Sequence, residues 1–521
     1  MSWQKEIDEL RYRQELAKQM GGKENVARQH AKGRLTVRER VDLLLDQGSF
    51  REIGSLAGTS EYDEKGELKS FTHASRVLGC GRINGRAVFV EGGDFTIHGG
   101  PATPLTLVSP GGFSGPRLPL ERRIPYIRLI DSAGGSVRAI EEQGHAEMPV
   151  YPDRWGVPAA LMARVPVISA ALGSLGGAPP VEAAASHWSI MTKNTSELFV
   201  GGPPLVKQAL GIEISKEELG NYKVHAYQSG VIDNVAEDER DAFRQIRLFL
   251  SYLPPNVWHQ PPRLETGDEP NRKDEELLSI IPHNHRRLYD IREVIRHIVD
   301  KDSIFEIAPF YGRSLVTLLA RMDGFPVAII SNDCRFFGGA QTADGCEKMM
   351  RFVDFADTFH LPIIYLVDCP GFMIGPDSEK QGIERKSARL AIALTQITVP
   401  AISILIRRVF GVAGGLHAAL SRLNLRYAWP SLYWGSLPIE GGAMAAYRRE
   451  IEAASDPDAK RIEIENKLMR LCSPFRSAEA FSPEEIIDPR ETRPILCGFV
   501  KDAQEITTTQ LGPKARMGMR P

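Results

Sequence analysis

The chain has 521 residues, 42% of them apolar and 25% charged, and a formal net charge of −2. That length predicts two domains rather than one, and the near-neutral charge excludes a global attraction to nucleic acid or anionic membrane. No apolar run is long enough to cross a bilayer. The six cysteines are scattered without a CxxC, which argues against a disulfide framework or a zinc ribbon and for a reducing, cytoplasmic setting without a bound metal.

Residues 1–45 read as helical and lack the apolar core of a signal peptide. Thr36 and Glu39 fit a capping box that opens a helix over residues 37–45. Residues 46–90 read as strands and turns, with Asn84-Gly85 between apolar neighbours as a hairpin signal.

An internal repeat follows. Asn84, Gly85, Val88, Asp94, Gly99 and Gly100 recur as Asp323, Gly324, Val327, Asp333, Gly338 and Gly339, each 239 residues later. Residues 125–134 recur as 362–371, displaced by 237, and residues 165–169 as 399–403, displaced by 234. Each half therefore reads as one α/β unit: hairpin, strand, helix, strand, glycine turn, helix. Between them, a proline-rich and then charged stretch from Pro254 to Glu276 reads as a surface linker, with the boundary near residues 256–285. The halves differ at one place. Met349, Met350, Phe352, Val353, Ala356 and Phe359 give an amphipathic helix after Gly339, whereas the prolines and glycines of residues 101–120 exclude that helix after Gly100.

The stretch around which the rest is organised is PAISILIRRVFGVAGG, residues 400–415, with an earlier copy PVISAALGSLGGA at residues 166–178. In each, a buried-strand pattern runs into small residues followed by a helix. Such a turn presents backbone N–H groups that can hold a developing oxyanion. Two copies imply two oxyanion holes. Asp131 and Asp368 also end buried strands and are read as caps of the next turn. His225 and His417 are read as structural hydrogen-bonders, His283 and His285 as solvated, and Arg117, Arg122 and Arg123 as a weak surface basic patch. No Walker A sequence or Ser–His–Asp order occurs, so an enzyme of this pattern would work through backbone oxyanion holes and a mobile cofactor.

Several motifs extend almost end to end: QHAKGRLT at 29–36, RER at 38–40, DFT at 94–96, Asp131-Ser132, FVGGPPLVK at 199–207, ELG at 218–220, YDIREVI at 289–295, PGF at 370–372, AWP at 428–430 and IDPRETR at 487–493. With these the chain resembles the carboxyltransferase (β) subunits of biotin-dependent acyl-CoA carboxylases of the propionyl-CoA and methylcrotonyl-CoA type. The resemblance implies two tandem crotonase-like α/β domains: an N-terminal, acyl-CoA-side domain over residues 1–255 and a C-terminal, biotin-side domain over 288–521, joined by a linker at 256–287. It also implies a homohexamer built as a trimer of dimers, with the site between the N-half of one chain and the C-half of its partner. Carboxybiotin, brought by a partner biotin carboxylase and biotin carboxyl carrier (α) subunit, would supply CO2 to the enolate of an acyl-CoA. No membrane or nucleic-acid partner is implied. Gly176 and Gly177 map to a hole assigned to the thioester, and Val412 and Ala413 to a hole assigned to biotin. Gly411, Gly414, Gly371 and Phe372 would surround biotin, and Gly99, Gly100, Gly134, Gly135 and Ala178 the acyl-CoA.

The chain departs from the family pattern in three places. Gly411-Val412-Ala413-Gly414-Gly415 stands for the usual Gly-Gly-Ala-Tyr or Gly-Ala-Gly, Asp131-Ser132-Ala133-Gly134-Gly135 for Asp-Ser-Gly-Gly-Ala, and residues 101–120 are recast. Two alternatives accompany the leading reading: the carboxyltransferase subunit of a biotin-dependent decarboxylase, and a catalytically degenerate paralogue in a mixed hexamer.

Overall fold

A computed structural model describes residues 2–100, 115–135, 141, 144–146, 155–417 and 425–515. The chain divides into two compact units, Met1–His259 and Gln260–Pro521.

The strands of the first unit are β1 (Arg51–Ile53), β2 (Gly58–Tyr62), β3 (Leu68–His73), β4 (Arg76–Ile83), β5 (Arg86–Gly93), β6 (Tyr126–Ile130), β7 (Val167–Ala171), β8 (Ser174–Gly176), β9 (Trp188–Thr192), β10 (Glu197–Phe199) and β11 (Asn234–Ala236). Its main sheet has the order β1-β4-β5-β6-β7-β9-β11. β1, β4 and β5 pair antiparallel, and the strands from β5 to β11 pair parallel. The second unit has β12 (Phe305–Ile307), β13 (Leu315–Met322), β14 (Phe325–Asn332), β15 (Ile363–Cys369), β16 (Ala401–Phe410), β17 (Leu425–Ala428), β18 (Tyr433–Gly435) and β19 (Glu485–Ile486). Its order β12-β13-β14-β15-β16-β17-β19 repeats the first, strand for strand and direction for direction.

The repeat holds at the level of register. Phe89 faces Tyr126 and Tyr126 faces Val167; at offsets of 239, 237 and 234, Ala328 faces Ile363 and Ile363 faces Ala401. The hairpin turns are held identically: the Asp46 carboxylate accepts the N–H groups of Asn84 and Gly85, and that of Asp300 accepts those of Asp323 and Gly324. Asn84 and Gly85 both have positive φ, the type I′ geometry that the Asn-Gly pair favours.

A further repeated block precedes these. Helix Val37–Leu44, opened by the expected Thr36–Glu39 capping box, sends Arg38 to Glu52; helix Ile291–Ile298 sends Arg292 to Glu306, both partners 254 residues on. The offset then drops from 254 to 239, a difference of 15, because the first unit alone inserts the β2–β3 hairpin between β1 and β4.

The second sheet buries Val316, Leu318, Val327, Ile329, Ile364 and Ile402 against Ile291, Val294, Leu496 and Val500 of helices Ile291–Ile298 and Thr492–Thr508. Each such side chain stabilises by roughly 1.5–3 kcal/mol when fully buried. Its other face carries helix Ala343–Thr358, the amphipathic helix expected after Gly339.

From Gln260 onward, the stretch expected to be a surface linker is folded onto the second unit. Arg272 binds Asp268 and the carbonyls of His297 and Val299, and Leu277 is buried in the core. Sparse apolar residues concealed this packing, since charged and backbone groups provide much of the attachment. Residues 101–114 of the recast segment lie outside the described residues; beyond them, Arg117–Arg122 forms a short helix. Among the described residues no helix is long and apolar enough to cross a membrane.

Candidate active site

In each unit, glycine turns gather at the carboxyl ends of adjacent parallel strands, where open α/β sheets receive ligands. In the first unit the structure brings Gly99, Gly100, Gly134, Gly176 and Gly177 into one cluster. Ala133 N–H donates to Gly99 O at 3.0 Å, Ser132 Oγ–H donates to Gly100 O, and Gly176 N–H donates to Ser132 O at 3.2 Å. A Cβ on Gly134 would lie 2.2 Å from Gly176 O, so only glycine permits this approach. Gly135 follows with open space around its Cα.

This packing changes the reading of the donors. The N–H of Gly177 is shared between Phe199 O and Val200 O at 3.2 and 3.1 Å, and that of Gly176 is already used. The available donor is the next one. Ala178 begins helix Ala178–Ala184, and no acceptor takes its N–H among the described residues. Gly177, with φ 71°, turns the chain so that this helix can start.

The second unit repeats the arrangement. Gly338 and Gly339 have positive φ like Gly99 and Gly100, and a Cβ on Gly339 would lie 2.7 Å from Asp368 O, as one on Gly100 would lie 2.5 Å from Asp131 O. Gln341 N–H donates to Gly371 O at 2.9 Å, which ties the Gly371-Phe372 turn beside β15 to the Gly338-Gly339 turn. Cys369 pairs with Val409, so Gly371 and Gly411 each follow by two residues at neighbouring strand ends. Gly411 has φ 61° and opens helix Gly411–Leu416, whose Val412 and Ala413 N–H groups have no acceptor among the described residues. The left-handed position is Gly411, so the valine that departs from the family pattern meets no φ penalty; its side chain is 70% exposed. Gly414 packs on Val409.

Asp131 and Asp368 are not turn caps. Asp131 is fully buried and accepts Arg40 Nη1 at 3.0 Å and Gln29 Nε2 at 2.9 Å; Arg40 also binds Glu239. Asp368 accepts Arg407 at 2.7 Å, the Arg408 side chain at 2.8 Å and the Arg408 backbone N–H. Burial opposes its charge, but Arg408 and Arg407 together hold the carboxyl below its ordinary range. Neither aspartate has the freedom of a general base. They fix the strand ends on which the glycine turns stand, and Arg408 extends that bracing to Gly338 O at 2.7 Å. The sequence signal was there: two arginines inside a ten-residue buried strand require buried counter-charges.

His225 and His417 are structural hydrogen-bonders, as read. His225 bonds Leu198 O at 2.8 Å, and His417 bonds Ala413 O at 2.8 Å. Arg123 stacks over Trp258 at 4.0 Å and Arg122 donates to Cys80 Sγ at 3.3 Å, so these two serve packing within the first unit.

The model of the carboxyl transferase domain family matches residues 28–514. The propionyl-CoA carboxylase carboxyltransferase subunit of Haloferax mediterranei is 33% identical over 500 residues, 95% of each chain. The α subunit of methylmalonyl-CoA decarboxylase from Veillonella parvula is 31% identical over 95% of this chain and 94% of its own. Among solved structures, the transcarboxylase 12S hexamer with methylmalonyl-coenzyme A and methylmalonic acid bound superposes with a TM-score of 0.88 at 28% identity, covering 100% of this chain and 99% of that one. Its match supports the crotonase-like reading of the two units. The chain belongs to the carboxyl transferase domain family and is a carboxyltransferase.

Proposed function

We propose that this carboxyltransferase moves a carboxyl group between biotin, carried on a partner polypeptide, and the carbon α to the thioester of an acyl-CoA. The observation that carries the reading is the full-length likeness to a 12S core with methylmalonyl-coenzyme A bound, joined to a glycine-turn site in each unit. The first unit takes the acyl-CoA side. There the Ala178 N–H, presented by the Gly176-Gly177 turn, receives the thioester oxygen as it gains enolate charge, with Gly99, Gly100, Gly134 and Gly135 allowing close backbone approach. The second unit takes the biotin side, where the Val412 and Ala413 N–H groups, with Gly411, Gly414, Gly371 and Phe372 around them, would hold the ureido oxygen. Bound biotin supplies the carboxyl group and the basic ureido nitrogen; the chain supplies dipoles already aimed at the developing charges. A hexamer is the assembly this reading takes, by likeness to the 12S core.

The test is mass spectrometry of a CoA-thioester panel incubated with this chain, a holo biotin carboxylase partner, ATP and bicarbonate. A carboxylated thioester is expected; none across the panel, with a competent partner, overturns the reading. The relative from Veillonella parvula favours one second reading, the decarboxylase direction. ATP-independent loss of CO2 from a carboxyacyl-CoA would select it.

A further inference from the structure

The duplicated sheets differ at one group of positions. Arg76, Glu91, Tyr126 and Arg128 in the first unit correspond, at the offsets 239 and 237, to Leu315, Ile330, Ile363 and Tyr365 in the second. All four second-unit residues are buried and apolar or aromatic, so the sheet face tolerates an ordinary core. In the first unit that same face is charged. Glu91 and Arg128 stand directly opposite each other on β5 and β6, three residues ahead of Asp94 and Asp131 and hence near the strand ends where the glycine turns gather.

The charges there are unevenly satisfied. Glu91 gives one oxygen to Arg76 and the other to the Tyr126 hydroxyl at 2.6 Å. Glu182, on helix Ala178–Ala184, also faces Arg76. Arg128 is 8% exposed, donates from Nη2 to Ala185 O at 2.6 Å, and lies 5.6 Å from the centre of the Tyr126 ring. Its Nε–H has no acceptor, and no carboxylate pairs with it among the described residues. Opposite Arg128 on β7 is Ser169, fully buried, whose hydroxyl also lacks a partner. The second-unit equivalent, Ser403, donates to His417 O at 2.9 Å. A buried guanidinium and a neighbouring buried hydroxyl left unfulfilled together match one missing group, an anion that accepts from both.

Resting on the acyl-CoA reading, we infer that Arg128 and Ser169 receive a carboxylate at the far end of the acyl chain, so that the preferred thioesters are those of dicarboxylic acids. Arg128 acts here as a specificity residue: its guanidinium pairs with the terminal carboxylate while the thioester end lies at the glycine turns. Arg76 and Glu91 neutralise each other and hold the surrounding face polar.

The experiment is equilibrium binding by calorimetry, which needs no biotin partner. Succinyl-, glutaryl- and adipyl-CoA are compared with butyryl-, valeryl- and hexanoyl-CoA on the full chain, on Arg128→Met, on Arg128→Lys and on Ser169→Ala. In the unaltered chain at least one dicarboxylic thioester is expected to bind roughly tenfold or more tightly than its monocarboxylic counterpart. Arg128→Met should erase that preference while keeping affinity for the monocarboxylic thioesters, and Arg128→Lys should restore part of it. Should Arg128→Met not fold, Ser169→Ala should still reduce the preference severalfold. Equal or weaker binding of all the dicarboxylic thioesters, or a preference that survives both Arg128→Met and Ser169→Ala, overturns the inference alone. Binding of none of the six overturns the acyl-CoA reading itself, and the inference with it.

Discussion

Arg407 and Gly173 occupy equivalent places in the two repeats, 234 residues apart, and only Arg407 brings a charge to its neighbouring aspartate. Arg407 lies 2.7 Å from Asp368. A Cβ on Gly173 would lie 1.9 Å from Asp131 Oδ1, so the first unit leaves no room for a side chain there and draws its counter-charge from Arg40, on a helix 91 positions earlier than the aspartate. The same strand-end carboxylate is thus braced from two unrelated parts of the chain.

Asp368→Asn should therefore destabilise the second unit strongly. It leaves Arg407, 1% exposed, and Arg408 without their common counter-charge. Breaking a buried pair in this way costs about 3–5 kcal/mol. A large fall in the melting temperature is expected, and a change below about 1 kcal/mol would contradict the bracing role. The pH dependence has a definite sign. Because the folded carboxyl is held below 3.8, its stabilising contribution is complete above that pH and is lost as pH falls through the lower folded value.

Much of this architecture could be read from the residues, and the parts that could not have physical reasons. The offsets 239, 237 and 234 fall on strands whose register requires them, because these strands are buried on both faces and a one-residue slip would exchange the two sets of packed side chains. The block containing Arg38 and Arg292 does not align at those offsets because the β2–β3 insertion breaks its spacing from the rest. The turn residues were legible as glycines, yet which N–H is open was not. Gly177 N–H meets Phe199 O and Val200 O only because β10 lies beside β8, a pairing between short strands that carries little pattern of its own. The partners of Asp131 and Asp368 were equally hidden, since tertiary contact alone joins them.

His417 gives a second pH-dependent signature. It is fully buried with Nε2 unpartnered, its Nδ1 bonded to Ala413 O, and burial lowers its pKa from 6.5 to about 4 despite that bond. The neutral ring is the form that fits. Its contribution is complete above about pH 6.5 and is lost progressively as pH falls toward 4. The melting temperature should drop between pH 7 and pH 5 by less in His417→Gln than in the unaltered chain, compared in matched buffers. An identical drop in both proteins would show that His417 takes up its proton alike in the folded and unfolded chain.

Lys348 is a buried amine inside helix Ala343–Thr358, and its Nζ donates to the carbonyls of Ala308, Tyr311 and Leu315 at 2.8, 2.9 and 2.7 Å. Lys348→Met keeps the aliphatic stem but leaves three carbonyls without that donor. An unsatisfied buried polar group costs about 1–3 kcal/mol, so the total loss should reach at least ~3 kcal/mol. Urea unfolding measures it, and faster amide exchange over residues 308–315 should accompany it. Unchanged stability would mean that water replaces the ammonium.

Val412→Pro tests the biotin-side donor at the atom itself. Proline removes one N–H and is compatible with the first turn of a helix, and Gly411 before it lies outside the right-handed helical region, which proline disfavours in its predecessor. With 70% of its surface exposed, Val412 has no core role to lose. If its N–H holds the developing charge, turnover should fall by ~10²–10³ while acyl-CoA affinity is unchanged. Val412→Ala, which retains the N–H, should stay near the unaltered rate. Parallel losses in both variants would instead point to the side chain, and full activity in the proline variant would leave Ala413 as the remaining donor of that turn.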